Sequence, residues 1–341
     1  MFKKLIFFIP LLLVAGCATN SNWMKDNHRI IDDKTVGELT IPGTHLANAY
    51  NIKGTESMCI GEGIDHKNMS INATLRGSMK TGNHYNQESF VAYLNTQKED
   101  VAHQLSDGVR YLELQICQQN NVLYTSNIYL TDKLDQILTK IDDFVNDHSG
   151  EIIIIDLDNN LWAEYGAMNP KDATLLYNHM ITIIGHSLIS KSMRNSTIGQ
   201  LKKANKQIIL LSANSQLASF QFVWNKNEVA LTAQAQYSTV QKIAAIQNLY
   251  SEPEHANALS IMPLYSALPA YNIENGITNT NTDDPLILNY LSQTLASHAL
   301  IIVTDYKHLD SIIDLAIPNN QTTSGGQTIN QVKPENTDGF I

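Results

Sequence analysis

A single (β/α) barrel, irregular and with a long insertion after its first strand, is the fold this sequence predicts. Three observations lead there. The chain has 341 residues, 43% apolar and 16% charged, an ordinary globular balance that excludes a disordered tail or a low-complexity array. Short runs rich in β-branched residues alternate with helical patterns along most of its length, as parallel strands with helical crossovers do. Several of those runs, 152–155 and 208–211 among them, are apolar at every position, which strands covered on both faces require.

Taken in order, strands are expected at 36–41, 109–116, 122–124, 152–157, 207–212, 258–262 and 300–304. Helices are expected at 88–105, 134–146, 172–184, 239–249, 285–296 and 309–316. The second of these is bracketed by Asp132 and by Ser149-Gly150, residues that start and stop helices. Residues 51–86, rich in Gly, Asn, Ser and Met, break the alternation and read as an insertion forming a lid or rim. The barrel is assigned to 35–320, and the polar stretch 321–341 with Ser324-Gly325-Gly326 to a flexible tail.

The first residues, Met1-Phe2-Lys3-Lys4 followed by an apolar run from Leu5 to Ala15, have the layout of a secretory signal peptide. The run is too short to span a bilayer as a helix. Leu12-Leu13-Val14-Ala15-Gly16-Cys17 resembles a bacterial lipoprotein signal. It implies removal of residues 1–16, a lipid on Cys17 and a membrane-anchored spacer over 17–34. Ala18 implies the outer membrane, on its periplasmic or surface face. Export would carry Cys59 and Cys117 into an oxidising compartment, where they either form a disulfide or remain two separate thiols. With 23 Lys+Arg against 33 Asp+Glu, the net charge is -10. Such a surface repels phosphate backbones and excludes nucleic acid as a partner.

In a barrel of this kind chemistry is done at the carboxyl ends of the strands. Those ends deliver His45 after Gly43-Thr44, then Glu113 and Gln115, Thr125, Asp156 and Asp158, and finally Asp305. Glu113 and Gln115, two apart, fall on one face of a strand. An imidazole can take a proton near neutral pH. A barrel closes its last strand on its first, which brings Asp305 to His45, where a carboxylate fixes the tautomer and raises the pKa.

Leu39-Thr40-Ile41-Pro42-Gly43-Thr44-His45 resembles the strand that delivers the general base in phosphatidylinositol-specific phospholipase C X domains. Asn95-Thr96-Gln97, His103 through Leu114, Asp143 through Leu157, Thr197-Ile198-Gly199-Gln200-Leu201 and Ile301 through Tyr306 match the same family in order, to a terminal Asn319-Asn320. The resemblance implies a TIM-type barrel that cleaves a phospholipid headgroup phosphodiester. A histidine deprotonates the inositol 2-hydroxyl, which attacks phosphorus, and a second histidine protonates the departing diacylglycerol oxygen. On this map His45 is the base, Asp305 its orienting carboxylate and Glu113 the acidic residue of the site. The chain departs from the pattern where it reads Tyr124-Thr125-Ser126 in place of the second histidine and Gln115 in place of arginine. Gln115 and Thr125 are then expected to contact substrate, and a calcium ion, where one is used, to be held by Glu113 and Asp158. His66, His84 and His308 are the candidates for a replacement acid. Two functions follow: an exported phosphodiesterase acting on a phospholipid or phosphoinositide-like substrate, or a catalytically decayed lipoprotein that binds headgroups or glycans at the barrel mouth.

Overall fold

The computed structural model describes residues 20–57, 59, 91–92, 94–127, 129–157, 168–235, 238–251, 258–265 and 285–321. Cys17, His66, His84, Asp158 and most of the 51–86 insertion lie outside the described residues. Eight strands form one parallel sheet: β1 (Ile41–Thr44), β2 (Tyr111–Glu113), β6 (Ile153–Asp156), β7 (Ile208–Ser212), β8 (Val223–Asn225), β9 (Ala230–Thr232), β10 (Leu259–Pro263) and β11 (Ile301–Thr304). Their order is β8-β7-β6-β2-β1-β11-β10-β9. The first and last strands are neighbours, with Ile41 beside Ile301 and Thr44 beside Thr304. The edges β8 and β9 are consecutive in the chain and joined by a single helical turn, Lys226–Val229. The sheet therefore curls until its edges approach, giving an irregular barrel whose seam carries no ladder among the described residues.

β6 and β7 are buried at every position, as expected of strands sandwiched between interior and helices. The Leu134–Asp147 and Pro170–Ile184 helices pack together and share the apolar core with these strands. Ile137, Leu138, Ile141, Phe144 and Val145 of the first form a helical stripe facing the core. The second starts at Asn169, whose side chain accepts from the backbone N–H groups of Lys171 and Asp172, with Pro170 at its first position.

Four expectations are corrected. The expected 36–41 strand is a 3₁₀ turn, Val36–Glu38, closed by a Thr35/Glu38 capping box, and the strand begins at Ile41. The 109–116 run splits between β2 and β3 (Ile116–Gln119). The 122–124 run is no barrel strand; as β4 (Val122–Asn127) it lies between β3 and β5 (Tyr129–Lys133) in a separate antiparallel sheet. Asn120 and Asn121, with φ of 52° and 59°, make the tight turn that folds β4 back on β3. The 88–105 helix breaks: residues 95–100 are non-helical, and a helix resumes at Val101–Asp107 behind an Asp100 N-cap.

The foot of the barrel is closed by the N-terminal segment. Arg110, just before β2, and Glu151, just before β6, form a wholly buried ion pair at 2.7 Å. Arg110 also donates to the carbonyls of Asn20 and Ser21. Glu151 accepts the backbone N–H groups of Met24 and Lys25. The Trp23 indole donates to the Gly108 carbonyl at 2.9 Å. Nearby, the backbone N–H groups of Ile198 and Gly199 bond the carbonyls of Lys34 and Asp32.

Candidate active site

β1 delivers His45 into a backbone cage. Gly43 lets β2 come close, since a Cβ there would stand 3.0 Å from Tyr111 side-chain atoms. The His45 N–H donates to the Thr304 carbonyl at 3.0 Å, continuing the β11 ladder beyond the strand. The His45 carbonyl accepts from the Thr96 hydroxyl at 3.0 Å and the Gln97 amide at 2.7 Å. The Asn95-Thr96-Gln97 block thus holds the backbone of His45. Leu46 then turns the chain with φ of +44°, a left-handed conformation that side chains disfavour. Its carbonyl is held by the Ala49 N–H at 2.7 Å and the Thr96 hydroxyl at 3.2 Å.

Two groups fix the imidazole. Nδ1 lies 2.9 Å from Asp305 Oδ1, and the Tyr265 ring stacks on it at 3.6 Å between centroids and 9° between planes. Asp305 is the N-cap residue of the Tyr306–Asn319 helix, yet its side chain makes no capping bond; the carboxylate is turned to His45 instead. With Nδ1 so engaged, Nε2 is the nitrogen available for proton transfer. Burial pulls the imidazole pKa down, while the Glu113 charge and the Asp305 hydrogen bond and charge push it up, leaving it above its ordinary value.

Beside this pair lies a second cluster. Glu113 and Asp156 are register partners on β2 and β6. The Tyr111 hydroxyl donates to Asp156 Oδ2. The Lys226 ammonium bonds the same oxygen at 2.7 Å, reaching in from the turn that joins β8 to β9. Burial and then the Asp156 and Glu113 charges hold the Tyr111 phenol well above its ordinary pKa. Tyr265 is raised in the same way by burial, then by Glu113, Asp156 and Asp305. One mouth therefore gathers His45, three carboxylates, two phenols kept neutral and a lysine.

His45, Asp305 and Glu113 come together as expected. Gln115 is half-buried beyond the end of β2; its N–H faces Asn48 Oδ1 at 3.4 Å and its Oε1 accepts from the Ser126 hydroxyl at 3.3 Å. Thr125 is corrected as a substrate contact. It is fully buried in the antiparallel sheet, and its hydroxyl is engaged with Thr131 Oγ1 at 2.8 Å and the Asp132 carbonyl at 3.0 Å. His308 is buried on the last helix. Cys59 and Cys117 are joined in a disulfide with Cα atoms 6.2 Å apart, tying the 51–86 region to β3. Among the described residues no group of three His, Cys, Asp or Glu side chains is set to hold a metal. Lys226, Tyr265 and Tyr111 escaped the sequence reading. Lys226, on the turn after β8, and Tyr265, just past β10, reach the site from segments too distant in the chain to read as its neighbours, and Tyr111 is the first residue of β2, before the strand end at Glu113.

Residues 81–214 match the family model described as phosphatidylinositol-specific phospholipase C, X domain. A PI-PLC X-box domain-containing protein of Dictyostelium discoideum is 26% identical over 179 residues, 52% of this chain and 20% of that protein. The human PI-PLC X domain-containing protein 1 is 25% identical over 141 residues, 40% of this chain and 41% of that protein. The matches thus span less than half the length of either relative. Among solved structures, the phosphatidylinositol-specific phospholipase C of Listeria monocytogenes superposes with a TM-score of 0.57 at 20% identity, covering 89% of this chain and 100% of that one. A phosphatidylinositol-specific phospholipase C of Staphylococcus aureus gives 0.55 at 15% identity, covering 87% and 97%. At these identities the superpositions establish the barrel fold.

Proposed function

We propose, from the premise that this chain is a divergent member of the phosphatidylinositol-specific phospholipase C X-domain family, that it is an exported lipoprotein whose barrel cleaves a phosphodiester of a phospholipid or related headgroup, with His45 as general base. The single observation carrying this reading is the 2.9 Å contact of His45 with Asp305 at the carboxyl ends of adjacent strands. Nε2 takes a proton from a substrate hydroxyl next to the phosphate. That oxygen attacks phosphorus, the bond to the lipid alcohol breaks, and a cyclic phosphate forms. Lys226 supplies the positive charge beside the phosphoryl oxygens that Gln115 cannot, since preorganised charge is the main catalytic device of such transfers. In a calcium-dependent variant of the reaction Glu113 and Asp158 would be the ligands, and the ion would supply charge neutralisation to the same oxygens.

The resemblance places the second histidine at Tyr124-Thr125-Ser126, where the Thr125 hydroxyl is engaged, so on this reading solvent protonates the departing alcohol oxygen. Losing a positioned acid costs about 10² to 10⁴ in rate, so turnover is slow. That same departure supports a second reading, a mouth that binds headgroups or glycans without cleaving them. ³¹P NMR of phosphatidylinositol micelles with the full chain, with calcium and with chelator, separates the two. A cyclic phosphate signal lost in His45→Ala supports the enzyme. Saturable binding without product in any condition supports the binding module.

A further inference from the structure

From the way the N-terminal segment docks on the barrel, we infer that the mouth faces away from the membrane that holds the lipid anchor, so that its phosphodiester is presented from the aqueous side, dissolved or in a facing bilayer. This rests on the lipoprotein reading of Cys17.

β2 and β6 each link the docked N-terminal segment at the foot to the mouth at the top. At the foot of β2, Arg110 binds the carbonyls of Asn20 and Ser21, and at its top Glu113 lies in the mouth. At the foot of β6, Glu151 binds the N–H groups of Met24 and Lys25, and at its top Asp156 holds Lys226. The segment from Asn20 onward is built into the foot of the barrel. The Asn20 amide donates to the Asp107 carbonyl, Trp23 and Met24 are buried, and Lys202 near the foot of β7 bonds the Met24 carbonyl. Three peptide links separate Cys17 from Asn20, a reach of at most ~11 Å. A domain of about 300 residues is on the order of 50 Å across. Turning the mouth onto the anchoring bilayer would carry Asn20 to the far side of the body, several times beyond that reach.

The test uses the full lipidated chain in vesicles containing a headgroup-labelled quencher lipid, with one dye at an introduced cysteine, either Lys203→Cys near the foot or Lys307→Cys beside the mouth. Quenching at least threefold stronger at 203 than at 307 is the expected result; equal or reversed quenching with the lipid present on Cys17 overturns the inference alone. Intact mass lacking the lipid on Cys17 overturns the lipoprotein reading and the inference together. A second arm follows cleavage of phosphatidylinositol placed in the protein's own vesicles, in separate vesicles, or as a short-chain soluble form. Turnover in its own vesicles is expected to be at least tenfold lower than on the other two, and a 30-residue Gly/Ser insertion between Cys17 and Asn20 to remove that deficit. Own-vesicle turnover as fast as the rest, before any insertion, overturns the inference. Soluble against vesicular preference identifies the source of the substrate. With the quenching pattern as expected and no turnover anywhere, the orientation stands and the phosphodiesterase reading fails.

Discussion

At the scale of single residues, the mouth is a set of charges balanced around one imidazole. The proposed base would work in its unprotonated form, so a pKa raised by Glu113 and Asp305 predicts an acid limb of the pH–rate profile above the ordinary histidine value of about 6.5. Removing either charge weakens the upward push on the imidazole and moves that limb to lower pH. Glu113→Gln is therefore expected to shift the limb down in a kcat/KM profile, while Asp305→Asn shifts it and also cuts kcat by about 10² to 10⁴ through loss of the oriented tautomer. An unmoved limb in Glu113→Gln would contradict the electrostatic account. Lys226→Met tests the proposed contact of this ammonium with the phosphoryl oxygens: kcat/KM should drop by about 10² to 10³. His45 and Asp305 were legible because each ends a strand inside a recognisable run. Lys226 was not, since only the curl of the sheet carries it to Asp156, 70 positions away.

At the scale of elements, close packing between β1 and β2 depends on what Gly43 lacks. Gly43→Ala places a methyl 3.0 Å from Tyr111 side-chain atoms, so the strands must part or the ring must shift. A loss of about 1 to 3 kcal/mol in denaturant unfolding is expected. Because Tyr111 also holds Asp156, activity should fall more than stability alone explains. Cys117→Ser opens the loop to Cys59, 58 residues away in sequence, and is expected to cost about 2 to 4 kcal/mol. The wholly apolar runs of β6 and β7 were legible from composition. β8 and β9, three residues each, were not, because so short a run has no periodicity to read. The β3–β4 hairpin does not read as separate from the barrel because the strand propensity flanking Asn120-Asn121 masks the turn signal between them.

At the scale of the whole molecule, the buried Arg110–Glu151 pair joins the N-terminal segment to two barrel strands. Glu151→Gln leaves the guanidinium without its counter-charge in a fully buried site, a change that typically costs about 3 to 5 kcal/mol. It should also loosen residues 20–31, seen as faster hydrogen exchange at the foot than at the mouth. Unaltered exchange there would show that the segment is held by Trp23 and Met24 packing alone. The pairing of β1 with β11 has a consequence in time. Residues 41–44 can pair with β2 early, but the partner on their other edge arrives only with residues 301–304, so a chain emerging from a ribosome or a translocation pore carries a first strand open along one edge for most of its synthesis. His45 and Asp305 meet at the same late moment. A chain that stops short of residue 305 therefore lacks both the β1–β11 pairing and the His45–Asp305 contact, and arrival of the last strand completes fold and site together.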